Sequence, residues 1–204
     1  ENHPPSTLDF GRDPSLTLIE PLGSQWGDAG VNIVERLERY VELIQLHSDG
    51  VPLRIYSDLG AWQIAREDPR IQKLLETRRG SSSTAETGPI VTGPGARKAR
   101  KVATLGDGGL EWWVYTAQYI DPIDNLLKPY IPANTIIIAD DDAMAGIQAY
   151  GMIHDEKAGY KAEQFFAKSW VPDDPAVRWV MGQANSIFVP RKPNACIAVT
   201  VRTP

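Results

Sequence analysis

Hydrophobic positions follow a helical rhythm most clearly between residues 31 and 44. Val31, Val34, Leu37, Tyr40, Val41 and Ile44, with Ile33 and Leu43 beside them, recur at the spacing of one helix face. Glu35, Glu38, Arg39 and Glu42 populate the other face. Asp28 is the expected cap upstream and Gly50 the expected stop. Ahead of this helix, residues 1–30 are rich in Pro, Gly and Asp, carry one extended stretch at Leu16 to Ile19, and read as a segment entering the core. After it, Pro52 to Tyr56 predicts a buried strand. Ser57 and Asp58 then cap a second helix running through Arg66, and Asp68-Pro69 opens a third that reaches about Arg79.

The pattern changes at residue 80. Residues 80–101, with Gly80-Ser-Ser-Ser-Thr and Gly93-Pro94-Gly95, read as a flexible loop. Leu110 to Tyr119 is aromatic and β-prone, and alternation places Trp113, Tyr115 and Tyr119 on one face. Asp121-Pro122 and Asp124-Asn125 mark a turn. Thr135 to Ala139 is a β-branched run closed by Asp140, Asp141 and Asp142, so it predicts a buried strand. Further extended stretches are Ile147 to Ile153, Gln164 to Val171, Ile187 to Pro190 and Ala195 to Arg202. Pro175 to Gln183, with Asp174 as cap, predicts a short helix. The chain is therefore α+β, helical early and sheet-rich late.

Composition narrows the function classes. With 204 residues, 42% of them hydrophobic, the chain can bury a core without disulfide or metal support. A net charge of −5 is unlike the basic surface of a dedicated nucleic-acid binder. A single cysteine, Cys196, excludes an internal disulfide framework and fits synthesis in a reducing compartment. No apolar run approaches the roughly 20 residues that a membrane-spanning helix needs, and there is no signal-peptide pattern.

Candidate chemistry is sparse. Asp140, Asp141 and Asp142 follow a strand, where carboxylates serve catalysis or metal binding in many folds. Neighbouring side chains on an extended segment point apart, however, and a solvated turn with a helix cap is the reading we prefer. Joined with His154 and Asp155, these acids define the alternative of a metal-dependent hydrolase. The three histidines, at 3, 47 and 154, never fall four residues apart, and His-Glu-x-x-His is absent. Cys196 sits within an apolar strand, where cysteine behaves as a small hydrophobe. Gly93-Pro94-Gly95-Ala96-Arg97-Lys98 lacks the Gly-Lys-Ser/Thr of a phosphate loop, and Pro94 removes a backbone donor. No catalytic, cofactor-binding or metal-ligating residue is assigned, and no cofactor is expected. The basic run Arg97, Lys98, Arg100 and Lys101 remains as a set of exposed loop charges able to contact a partner. Trp113, Tyr150 and Trp170 are assigned to the fold.

An ordered set of features runs through the second half. It begins with Trp112-Trp113-Val-Tyr115 and Tyr119-Ile-Asp121, followed by Pro129-Tyr-Ile-Pro132-Ala-Asn leading into Thr135-Ile-Ile-Ile-Ala139. Ala149-Tyr150-Gly151-Met-Ile153-His-Asp155 comes next, then Ala167-Lys168-Ser-Trp170, Asp174-Pro175, Gln183-Ala-Asn-Ser186-Ile, Val189-Pro190 and Pro193-Asn194-Ala195. Upstream stand Leu8-Asp9-Phe10-Gly11-Arg12 and Trp26. In this order they resemble the major capsid proteins of lambda-like tailed phages, the protein E family.

The resemblance implies the tailed-phage major capsid fold, with axial and peripheral domains. Residues 31–140 would be mainly axial, and 141–204 would supply returning strands that complete the peripheral domain. The family carries an N-terminal arm, an extended loop and a spine helix ahead of the Asp-Phe-Gly-Arg region, and none is visible in this sequence. The implied function is a structural subunit, not an enzyme, of a phage or prophage capsid, made in the bacterial cytoplasm and found in the virion. Its implied partners are other copies in hexamers and pentamers, with portal, scaffold or protease and decoration proteins, weak DNA contact and no membrane. Another virion component, a tail or decoration protein, is the alternative within the non-catalytic class.

Overall fold

The computed structural model describes residues 8–76, 98–105, 109–172 and 177–203. In chain order, β1 (Thr17–Ile19) precedes helix α1 (Ile33–His47), β2 (Arg54–Ser57), α2 (Leu59–Glu67) and α3 (Pro69–Glu76). Four strands follow: β3 (Ala99–Leu105), β4 (Leu110–Tyr115), β5 (Gln118–Ile120) and β6 (Leu127–Pro129). Next come β7 (Thr135–Ala139), the single turn α4 (Asp141–Met144) and β8 (Ile147–Tyr150). The chain closes with β9 (Phe166–Trp170), β10 (Trp179–Gln183), β11 (Ser186–Val189) and β12 (Cys196–Thr200). It is a mixed α+β chain, as the sequence pattern predicts.

Two compact units result. The larger comprises residues 1–144 and 192–204, the smaller residues 145–191. The last strand thus returns to the larger unit. The physical reason is pairing: β12 is hydrogen-bonded to β7 in the interior of the main sheet.

That sheet has six strands in the order β1-β12-β7-β2-β4-β3. β1 and β12 are parallel, as are β2 and β4, and the remaining pairs are antiparallel. The register aligns two rows of side chains on one face. Ile197, Ile138, Ile55 and Trp112 form the first; Leu18, Val199, Ile136, Ser57 and Val114 form the second. Leu37, Tyr40 and Ile44 of α1, Ala61, Trp62 and Ala65 of α2, and Ile71 of α3 belong to the same buried cluster. Three indoles meet in it. Trp112 lies 5.1 Å from Trp62 and 6.1 Å from Trp26, and its N–H donates to the Ser57 hydroxyl at 2.8 Å. A buried indole N–H needs such a partner.

Several local expectations are corrected. Asn32, not Asp28, caps α1, its side chain accepting from Val34 N; the Asp28 carboxylate accepts from Gln25 N instead. The helix ends at Ser48 in extended backbone, before Gly50 is reached. Asp58 does cap α2, but Ser57 ends β2. The third helix is described only to Glu76, and residues 77–97 lie outside the described residues. From Ala99 onward the stretch read as loop is strand β3, paired with β4. In β4 the buried aromatic is Trp112, and Trp113 is half-buried on the opposite face. Asp174 and Pro175 lie outside the described residues, but Trp179–Gln183 is a strand paired with β9, not a helix. Its neighbour's free hydrogen-bonding edge overrode a local helical pattern.

In the smaller unit, β9 pairs with β10 and β8 with β11, each as an antiparallel ribbon. Trp170 is exposed and sits across from Trp179, while Tyr150 is half-buried opposite Ser186.

Candidate assembly surface

The second face of the six-stranded sheet is polar and aromatic. The same register that buries Ile55, Trp112 and Ile138 turns Arg54, Tyr56, Glu111, Trp113 and Lys101 the other way. These side chains form one network. The Glu111 carboxylate accepts from Lys101 Nζ at 2.5 Å and from the Trp113 indole at 3.0 Å, and Arg54 Nε lies 3.5 Å away. Lys101 in front of Glu111, helped by the indole N–H, holds that carboxyl below its ordinary value. Arg54 also pairs with Asp141, which accepts from the Tyr56 hydroxyl at 2.6 Å. Burial, then this hydrogen bond to a carboxylate, pushes the Tyr56 phenol up.

The acidic run after β7 is thereby accounted for. One Asp140 oxygen caps the α4 turn through Ala143 N at 3.0 Å, and the other accepts from Val51 N at 2.8 Å. Asp141 belongs to the network, and Asp142 is exposed. In the smaller unit Asp155 pairs with Lys168 and caps the turn Glu156–Ala158 through Lys157 N. Hydrogen-bonded commitments of this kind leave few lone pairs for an ion. Among the described residues, no group of three or more His, Cys, Asp or Glu is placed to hold a metal. Cys196 is buried, which raises its thiol pKa, and it accepts from Arg12 at 3.2 Å.

Of the four basic residues singled out in the sequence, Arg97 lies outside the described residues. Lys98 is exposed at the entry to β3. Arg100 pairs across from Val114, and Lys101 across from Trp113, so the two project to opposite faces of the sheet. They are half-buried strand residues rather than loop charges, and Lys101 is ion-paired. The strand geometry splits a run that looks contiguous in sequence. Arg54, Glu111 and Trp113 carried no signal beyond ordinary strand composition, because their meeting depends on strand order.

A family model described as phage major capsid protein E matches residues 4–201. The chain belongs to that family. The major capsid proteins of Escherichia phage lambda and Enterobacteria phage phi80 are each 27% identical over 199 residues, covering 96% of this chain and 56% of theirs. A head protein from a P21 prophage of Escherichia coli CFT073 is 28% identical over the same length. This capsid-family chain therefore spans a little over half the length of the curated relatives it matches. A crystal structure assigned to a prophage capsid protein of E. coli CFT073 superposes with a TM-score of 0.72 at 18% identity. It covers 95% of this chain and 55% of that one, so the two share a fold. Among the described residues, no helix is long and apolar enough to cross a membrane.

Proposed function

We propose that the chain is a structural subunit of a phage or prophage icosahedral capsid, self-assembling into hexamers and pentamers that enclose the genome. Family membership across residues 4–201 is the observation that carries this reading. Residues 31–140 would form mainly the axial domain at the capsomer centre, and residues 141–204 would supply strands that complete the peripheral domain joining neighbouring capsomers. The subunit's role is structural and not catalytic, as its family membership supports, and Asp140, Asp141 and Asp155 serve as caps and ion-pair partners.

We assign Arg97, Lys98, Arg100 and Lys101 to subunit contacts. Support comes from the place of Lys98, Arg100 and Lys101 at the start of β3, which is an edge strand of the main sheet among the described residues. Portal, scaffold or protease and decoration proteins are further partners, DNA touches the inner side weakly, and the protein is made in the bacterial cytoplasm and ends in the virion. The test is expression of the full-length natural protein with its protease and scaffold, read by electron microscopy. Closed shells are expected; tubes, or no particles, would overturn the proposal. Shells from a Lys98→Glu, Arg100→Glu variant at wild-type yield would remove the assigned contacts alone.

A further inference from the structure

The chain leaves the larger unit after Met144 and re-enters it at Lys192, so residues 145–191 are an insert between α4 and β12. The two ends of the insert meet. Its first and last strands, β8 and β11, pair with Ile147 opposite Val189 and Tyr150 opposite Ser186. Beyond them the ribbon continues, where Gly151 N donates to Asn185 O at 2.7 Å. At the other end the two backbones touch. A β-carbon on Gly146 would collide with Val189 O and stand 2.9 Å from Pro190 Cα, so only glycine fits there. The α-carbons of Gly146 and Pro190 therefore lie within about 4.5 Å, close to the roughly 3.8 Å between adjacent residues.

The strands of the main sheet all come from the larger unit, and those of the insert pair among themselves. No described residue of the insert belongs to the buried cluster that lines the main sheet. Within the insert, Ile153 and Ala158 are the only buried side chains among the described residues. What remains is two ribbons, of four and five residue pairs. A two-stranded ribbon is marginal on its own. Lys168 of β9 joins the segment after β8 by pairing with Asp155, and its ammonium lies 5.5 Å from the Trp170 ring.

We infer that residues 145–191 are a separable insert, which opens and closes as a unit of its own while the six-stranded sheet stays folded. The larger unit has its buried cluster and every strand pairing without the insert, so opening leaves it intact. The insert buries two side chains and sits at the low end of local stability, from which moving elements are drawn. Separability does not depend on the capsid reading, since it concerns the opening of the chain itself.

Native-state hydrogen exchange on the 204-residue chain provides the test. Amides of β8, β9, β10 and β11 should exchange at least tenfold faster than those of β7 and β12, through a separate opening at lower urea. One shared opening for both sets would overturn the inference. Asp155→Asn should speed exchange in the insert at least threefold and leave β7 and β12 unchanged; acceleration that spreads equally to β7 and β12 would also overturn it. In a second variant, residues 147–189 are deleted and Gly146 is joined directly to Pro190. That variant should keep the wild-type protection of β7 and β12, and loss of their protection would refute separability.

Discussion

Replacing Ser57 with alanine isolates one hydrogen bond at the centre of the larger unit. Both partners are inaccessible to solvent, and the indole N–H of Trp112 points at the Ser57 hydroxyl from 2.8 Å. Trp62 and Trp26 pack around the ring. Removing the hydroxyl leaves a buried donor without its acceptor, at a cost of about 1–3 kcal/mol. For a chain of this size that corresponds to a melting temperature lower by roughly 2–12 °C, at about 2–4 °C per kcal/mol. Trp112→Phe removes the donor and part of the ring, and the cavity left behind costs on the order of 2–3 kcal/mol. In that background the serine hydroxyl is itself the unpaired group, so adding Ser57→Ala should cost nothing or recover stability. The four proteins form a cycle with an expected coupling of about 1–3 kcal/mol, read by urea unfolding followed by circular dichroism. Additivity within roughly 0.5 kcal/mol would refute the reasoning, since it would mean the two side chains do not depend on each other.

The other predictions concern the carboxylates. Asp140→Ala should destabilise by about 0.5–2 kcal/mol through loss of the cap and speed amide exchange at Val51, whose N–H it accepts. Glu111, Asp121, Asp124 and Asp155 all have carboxyls held below their ordinary values of 4.5 and 3.8, chiefly by lysine partners. Their stabilisation is therefore fully present above those values and is lost as pH falls through the lower folded-state values. Thermal melts should be level above about pH 5 and drop below about pH 4; a melting temperature that rises on acidification would contradict the assignment. Calorimetric titration with Mg²⁺, Ca²⁺ or Zn²⁺ should give no heat beyond dilution. Tight binding abolished by Asp141→Ala would revive a metal-dependent activity.

What the sequence determined by itself was local. The period of α1, the Asp58 and Asp68 caps, and the β-branched runs of β7 and β12 announce themselves because their signals lie within a few residues of each other. The family resemblance was legible for a related reason: the order of strands and turns along the chain is itself sequence information. Tertiary structure decided the rest. Which face of β4 is buried, Trp112 or Trp113, depends on the neighbours that β2 and β3 supply, since alternation gives two faces without saying which meets the helices. Trp179–Gln183 and Ala99–Leu105 are strands because a partner strand offers its hydrogen-bonding edge, a fact that no local window contains. The Lys101–Glu111–Arg54–Asp141 network joins side chains far apart in the chain. Only the sheet order brings them within hydrogen-bonding reach, because backbone pairing over long loops sets distances that composition cannot encode.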